Sequence, residues 1–187
     1  MENRLLLRLH QRSTQPAQLL LLGIAVALAA ATVAWIALRA DEDKASTAAG
    51  PVLVSDSQLR RLARSVDRPI FWAGPRKGYS YEVTAADARV YVRYLPSGVP
   101  AGDARARFLA IGTYSSADAA ANLKLAANQR RSVSQRLHDG GFLVFAANRP
   151  TRVYVGFPAA KHQVEVFHPS DDTARRLVLD GAIVPIR

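Results

Sequence analysis

Arginine and tyrosine alternate in two segments of the sequence, and these side chains are the best candidates for chemistry. Arg89, Tyr91 and Arg93 fall on one face of a predicted strand, because successive side chains of a strand point to opposite faces. Arg152 and Tyr154 hold the matching positions of a second predicted strand. Guanidinium groups bind carboxylates and phosphates through paired hydrogen bonds. We therefore expect an anion-binding surface; the alternative is a solvated face on which arginine stems lie along tyrosine rings.

A turn rich in glycine and proline, residues 72–78 (WAGPRKG), places two more cations beside an aromatic side chain. We expect Arg76 and Lys77 to form a rim of the same surface. The alternative is a plain turn whose Trp72 is buried in the core.

His162, Glu165 and His168 form an H-x-x-E-x-x-H pattern, which raises the question of a metal site. The segment alternates as a strand, so the two histidines would lie about 20 Å apart on one face and the glutamate on the other. We predict no metal site. The sequence after residue 45 contains no serine elbow, zinc pattern, phosphate loop or dinucleotide pattern. We therefore predict no catalytic residues, no cofactor and no enzymatic activity.

The charge of the chain points to anionic partners. From residue 45 onward the sequence has 20 Lys and Arg against 11 Asp and Glu, which is a surplus of 9 within the net charge of +10. Such a field favours lipid headgroups, anionic wall polymers or nucleic acid without choosing among them. The chain has no cysteine, which excludes disulfides and thiolate metal sites.

Four segments are predicted along the chain: a basic cytoplasmic tail (1–18), a transmembrane helix (19–38), a linker (39–51) and an extracytoplasmic domain (52–187). The second segment carries Thr32 as its one polar side chain, and twenty helical residues span about 30 Å, the hydrocarbon thickness of a bilayer. Cations before this segment outnumber those just after it, which favours a cytoplasmic amino terminus. The alternative is a cleaved signal peptide, although its apolar stretch would be unusually long.

The predicted domain contains an internal repeat. Residues 78–94 align without a gap on residues 141–157, and both segments carry Gly at the start, the word RVYV and an aromatic residue at the end. A third strand and a serine-led helix follow in both copies. We therefore predict an α+β fold of two β-β-β-α repeats, about 78–126 and 141–182, with a leading helix, a closing strand and a largely antiparallel sheet.

Three serines mark the predicted helix starts: Ser55, Ser115 and Ser170. Each precedes a segment with helical spacing of apolar residues, and serine is a favoured N-cap. Gln58, three residues after the first serine, completes the sequence pattern of a capping box. We therefore interpret these serines and the aspartates beside them as capping groups and not as nucleophiles or metal ligands.

Two resemblances accompany these patterns. Residues 108–128 (FLAIGTYSSADAAANLKLAAN) resemble the first strand and helix of sporulation-related-repeat domains, in which a strand ending in Gly-x-Tyr or Gly-x-Phe precedes a serine-led, alanine-rich helix. That resemblance implies peptidoglycan binding. The apolar segment followed by RPIFWAGPRKGYSYEVT and RVYVRYLPSGVP is similar to a group of uncharacterised single-pass membrane proteins of high-GC actinobacteria. This second resemblance implies no known activity.

Together these patterns predict a membrane-anchored, extracytoplasmic binding or scaffold module. Its expected partners are an anionic wall polymer, lipid headgroups or another membrane protein. One alternative is an envelope enzyme whose acid–base groups are assembled only by folding. Another, with inverted topology, is a nucleic-acid binder; the basic amino-terminal tail and the lack of a clustered basic helix argue against it.

Overall fold

The structure, a computed structural model, describes residues 50–86, 88–157 and 160–187. These residues form ten strands and three helices. In chain order they are β1 (Val52–Val54), α1 (Asp56–Ser65), β2 (Phe71–Trp72), β3 (Tyr79–Ala86), β4 (Arg89–Pro96), β5 (Ala110–Ser115), α2 (Ala119–Ala127), β6 (Ser132–Arg136), β7 (Phe142–Ala146), β8 (Arg152–Gly156), β9 (His162–Phe167), α3 (Thr173–Leu179) and β10 (Val184–Pro185).

Eight of the strands form one antiparallel sheet in the order β1-β3-β4-β5-β9-β8-β7-β6, and β2 pairs with β10 in a separate two-stranded ribbon. Two three-stranded units, β3-β4-β5 and β7-β8-β9, meet at the central pair β5–β9. In that pair Gly112 lies opposite Glu165. The third strand of each unit is therefore central, and residues far apart in the sequence become neighbours there.

The hydrophobic core lies on one face of the sheet, here called the inner face. Alternation places Val92 and Tyr94 of β4 there, together with Val153 and Val155 of β8, and all four are buried. Helices α1 and α3 and the ribbon cover this face with their own buried apolar side chains, among them Leu59. Each fully buried side chain of this kind contributes about 1.5–3 kcal/mol to folding.

The opposite face, here called the outer face, is covered unevenly. Helix α2 packs over β7 and β8, where Gly156 leaves room for Leu123; a Cβ at this glycine would lie 2.7 Å from the leucine Cδ1. Over β4 and β5 the cover is the connection formed by residues 97–109. The two helices that follow the three-stranded units thus pack on opposite faces of the sheet.

The fold class predicted from the sequence, an α+β domain preceded by one transmembrane helix, is wrong. The described residues form mostly antiparallel sheet with three short helices of 10, 9 and 7 residues. Among these helices none has the length and apolar character needed to cross a membrane. The predicted tail, the predicted membrane helix (19–38) and most of the linker lie outside the described residues. The membrane and single-pass classification therefore has no support in the described residues.

Strand β6 is one reason why the sheet is larger than predicted. Its sequence, SVSQR, is mostly polar and exposed, so the hydrophobic alternation by which strands are recognised is absent. Strand β1 is also absent from the predicted elements, because its three residues are too few to show a period.

The predicted helix caps are correct at one position of three. The capping box at Ser55 is present: its Oγ accepts from the Gln58 N–H at 3.3 Å, and the Gln58 Oε1 accepts from the Ser55 N–H at 2.7 Å. The other two helices begin later than predicted, with N-caps at Asp118 and Asp172 and no side-chain cap. Ser115 is the last residue of β5, which extends further than the sequence pattern indicates.

Candidate functional site

The outer face carries a cleft of about 220 Å³ between the sheet and residues 97–109. Its base is formed by Ala110 and Gly112, the two smallest side chains of β5 on this face. Aromatic rings and arginines surround the base. The lining residues are Tyr91, Arg93, Ala104, Arg105, Ala106, Phe108, Ala110, Gly112, Arg152, Glu165 and Phe167. We call this site the outer-face cleft.

Three of the candidate residues come together in the outer-face cleft: Tyr91, Arg93 and Arg152. They meet because β4 and β8 are separated only by β5 and β9, and all three side chains project on the same face. Arg89 and Tyr154 lie on the same face, next to Tyr114 and Glu165 in the strand registers, but they do not line the cleft.

The other two candidates do not belong to this site. Arg76 lies over the ring of Tyr94 at 5.3 Å, on the inner-face side of the sheet. Lys77 is exposed in the same turn. The turn is held in place by core tyrosines: the Arg76 N–H donates to the Tyr81 hydroxyl at 2.9 Å, and the Ala73 N–H donates to the Tyr94 hydroxyl at 2.6 Å. Arg76 and Lys77 therefore do not line the outer-face cleft.

The wall formed by residues 97–109 is attached to the sheet through Glu82 and Arg93. Glu82 of β3 is buried, and its two carboxylate oxygens accept from Arg93 Nη1 and from the Gly102 N–H, both at 2.6 Å. Arg93 Nη2 donates to the Asp103 carbonyl at 2.5 Å. Both ends of the pair thus bind backbone of the connection, so Arg93 serves the structure of the cleft more than ligand binding.

A chain of hydrogen bonds on the outer face joins three side chains at the cleft: Tyr91, Tyr114 and Glu165. The Tyr114 hydroxyl donates to Glu165 Oε2, and it is 2.5 Å from the Tyr91 hydroxyl. Because a hydroxyl has one hydrogen, Tyr91 is the donor to Tyr114. Burial, followed by the charge of Glu165, raises the pKa of Tyr114 well above its usual range, so this donor stays protonated. The chain fixes the position of the Glu165 carboxylate.

Arg152 is the cation that this carboxylate positions. Its Nη1 lies 3.1 Å from Glu165 Oε1, and its side chain is 51% exposed whereas the glutamate is buried. Burial acts to lower the pKa of Arg152, but the charge of Glu165 and the contact with Tyr154 outweigh it and the pKa is raised. A buried carboxylate therefore holds a half-exposed guanidinium at the mouth of the cleft.

Gly112 makes this arrangement possible. A Cβ at this position would lie 2.9 Å from Cε1 of Tyr91 and 3.0 Å from Cε2 of Tyr114. The two rings meet edge to face with centroids 5.7 Å apart. A larger residue would separate the tyrosine rings and break the hydrogen-bond chain.

The rim of the cleft carries a second group of charges. The Asp103 carboxylate accepts from Arg105 Nη2 at 2.6 Å and from Arg107 Nη2 at 3.0 Å. Hydrogen bonds from Arg105 hold the pKa of Asp103 well below its usual range, so it stays ionised at neutral pH. The side chain of Arg105 is 65% exposed. It is therefore a second cation at the cleft that a ligand can reach.

Carboxylates neutralise much of the positive charge that the sequence suggests for this face. Sequence reasoning missed them because Glu82 and Asp103 form no motif, and each meets its arginine only through strand register or loop conformation. Glu165 was noted only for its spacing from histidines. Its placement opposite Gly112 depends on the β5–β9 pairing, which no local pattern reveals.

The H-x-x-E-x-x-H residues are not brought together. Glu165 lies on the outer face, whereas the His162 ring packs at 5.1 Å from Phe71, a core residue of the inner face. Burial lowers the pKa values of both His162 and His168. Among the described residues no group of three or more His, Cys, Asp or Glu side chains is placed to hold a metal ion.

A comparison with protein families, curated proteins and solved structures finds no match to this chain. The resemblances drawn from residues 108–128 and from the turn segments therefore stay predictions.

Proposed function

We propose that this protein is a binding module for an anionic wall polymer, and that the outer-face cleft takes one carboxylated sugar unit of it. The observation that carries the proposal is Arg152: a half-exposed guanidinium at the mouth of an aromatic-walled cleft, held by the buried Glu165. Its planar fork can donate paired hydrogen bonds to a second carboxylate.

The size of the cleft favours one unit of a longer ligand. Its volume of about 220 Å³ is below the roughly 300–1,000 Å³ usual for pockets that enclose a whole small molecule. A polymer can place one unit in the cleft while its neighbouring units lie along the sheet and residues 97–109. Affinity would then come from several weak contacts along one chain.

The walls of the cleft favour a sugar ring over a flexible anion. Phe108 and Phe167 offer flat apolar rings, and guanidiniums already lie near them, with Arg93 at 5.6 Å from the first ring and Arg152 at 5.7 Å from the second. A sugar acid has an apolar ring face for such walls and a carboxylate for the arginine beside them.

The cleft is also preorganised. Arg152 is ion-paired with Glu165, whose other oxygen accepts from Tyr114, so the guanidinium has its position before any ligand arrives. Preorganisation lowers the entropy cost of binding. The net positive charge of the chain adds long-range attraction for a polyanion, and this part of the affinity falls with salt.

The test is retention of the full chain on beads that carry polygalacturonate, a polymer of carboxylated sugars. We expect Arg152→Gln to weaken retention about tenfold, because a hydrogen bond to a charged group is worth roughly 1.5–3 kcal/mol. Arg149→Gln is the matched control: it removes one exposed arginine from the turn before β8 and leaves the cleft intact. We expect it to change retention less than twofold.

Two further arms complete the design. Arg152→Lys keeps the charge and loses the fork, so an intermediate affinity is expected if paired hydrogen bonds matter. Beads with neutral dextran measure binding that does not depend on charge. Equal losses for Arg152→Gln and Arg149→Gln would show that net charge and not the cleft binds the polymer, and would overturn the proposal.

A further inference from the structure

A second concavity, of about 330 Å³, lies on the inner face. It is bounded by β8 and β9, by the end of α3, by the β2–β10 ribbon and by the turn between β6 and β7. The lining residues are Phe71, Leu137, Asp139, Val155, Phe157, Val164, Val178, Gly181, Ile183, Val184 and Pro185. We call it the inner-face pocket. It is separated from the outer-face cleft by the thickness of the sheet.

The inner-face pocket is an open concavity and not a void within the core, since Val184 in its lining is 41% exposed. Here Val155, Val164 and Val178, all core residues, border an opening whose volume falls within the range of small-molecule sites. Apolar cavities of about half this size can bind small hydrocarbons. An apolar ligand would cover this opening and remove the exposed part of its apolar lining from water.

Asp139 gives the inner-face pocket its polarity. It contributes the one charged side chain among the described lining residues. Its Oδ1 accepts from the Gly141 N–H at 3.0 Å, which fixes the carboxylate beside the pocket. Gly141 is needed there, since a Cβ would lie 2.7 Å from the Phe157 ring. The chain has a net charge of +10, yet the charged side chain that lines this apolar pocket is negative.

We propose that the inner-face pocket binds a small apolar amine, with the hydrocarbon part against the valines and the ammonium beside Asp139. The apolar lining supplies most of the binding free energy, because each CH₂ group of the ligand that it buries leaves water. The carboxylate supplies the preference for a cation. Because Asp139 is exposed, that preference is modest, and we expect a factor of about three.

The test compares three ligands with the same six-carbon chain on the full-length protein: hexylamine, hexanol and hexanoate. Near neutral pH the amine is a cation and the acid an anion. Affinities are measured by calorimetry or by the shift of the unfolding midpoint with ligand concentration. We expect hexylamine to bind about three times more tightly than hexanol, and hexanoate to bind least tightly.

Two variants locate the site. Asp139→Asn should bring hexylamine down to the affinity of hexanol, whereas Asp67→Asn, the same change at an exposed aspartate after α1, should leave the ratio at three. Val184→Phe adds volume at a lining residue that is 41% exposed, so the fold tolerates it, and should weaken all three ligands at least fivefold.

The affinities of the three ligands for the unmodified protein can refute the proposal without any variant. No measurable binding of hexylamine and hexanol at millimolar concentration would overturn the proposal, and so would hexanoate binding more tightly than hexylamine. A preference for the amine that persists in Asp139→Asn would place the ligand elsewhere. None of these results bears on Arg152 or on the polymer, so the two proposals fail separately.

Discussion

The buried pair of Glu82 and Arg93 offers the sharpest test of how the cleft wall is held. Glu82 is 2% exposed and accepts two charge-assisted hydrogen bonds of 2.6 Å, one from Arg93 and one from the Gly102 N–H. Arg93 also donates to the Asp103 carbonyl. We consider Glu82→Met, Arg93→Met and the double variant, which replace the charges by apolar side chains of similar length.

Each single variant leaves one charge without its partner. Such a loss costs roughly 3–5 kcal/mol for a buried pair. The side chain of Arg93 is 21% exposed and keeps its bond to the Asp103 carbonyl, so we place the cost of Glu82→Met at the lower end, about 3 kcal/mol. Arg93→Met leaves Glu82 with the Gly102 N–H as its one remaining donor among those described, and we expect a similar cost of about 3 kcal/mol.

The double variant distinguishes the interaction between Glu82 and Arg93 from the contacts that each makes with residues 97–109. Replacing both members of a buried ion pair by apolar groups is often close to neutral, and here the lost contacts to residues 97–109 add to the cost. We expect about 3 kcal/mol in total, so the coupling free energy is also about 3 kcal/mol. Urea unfolding of the four proteins measures it. Additive costs, near 6 kcal/mol for the double variant, would refute the role given to this pair.

Three further predictions concern single residues. Gly112→Ala should lower the free energy of unfolding by about 1–3 kcal/mol, because its Cβ would crowd both tyrosine rings; a cost below roughly 0.5 kcal/mol would contradict this. Tyr114→Phe should cost about 1–3 kcal/mol in urea unfolding, because Glu165 loses its hydroxyl donor, and an unchanged midpoint would argue against the hydrogen-bond chain. Burial lowers the pKa of His162, so the unfolded chain binds its proton first as pH falls below about 6.5, and native stability decreases. His162→Phe should therefore flatten the stability profile between pH 7 and 5, and parallel profiles would contradict it.

The alternation of arginine and tyrosine was sufficient to predict which side chains share a face. Val92 and Tyr94 are buried on the inner face while Tyr91 and Arg93 line the outer-face cleft, because a strand has a period of two. Arg152 joins them since β8 lies two strands from β5 in the same antiparallel sheet. The period of a strand can be read from the local sequence, and it is enough to predict the face on which each of these side chains lies.

What the sequence could not show depends on long-range pairing. The β5–β9 register that puts Glu165 opposite Gly112, and the β3–β4 register that puts Glu82 opposite Arg93, join residues without a common motif. The elements that cover the outer face could not be predicted from the sequence either. Helix α2 crosses to β7 and β8, and residues 97–109 take the remaining space, although the repeat itself suggests two equivalent halves.

The most direct test of the central claim is an NMR titration of the full chain with digalacturonate. We expect chemical-shift changes at the Ala110 and Gly112 amides and at Nε of Arg152, because these groups surround the base and mouth of the cleft. The changes should disappear in Arg152→Gln and be absent with neutral digalactose. Shifts confined to the exposed arginines of α1, or equal shifts with the neutral sugar, would show that the outer-face cleft does not bind a carboxylated sugar.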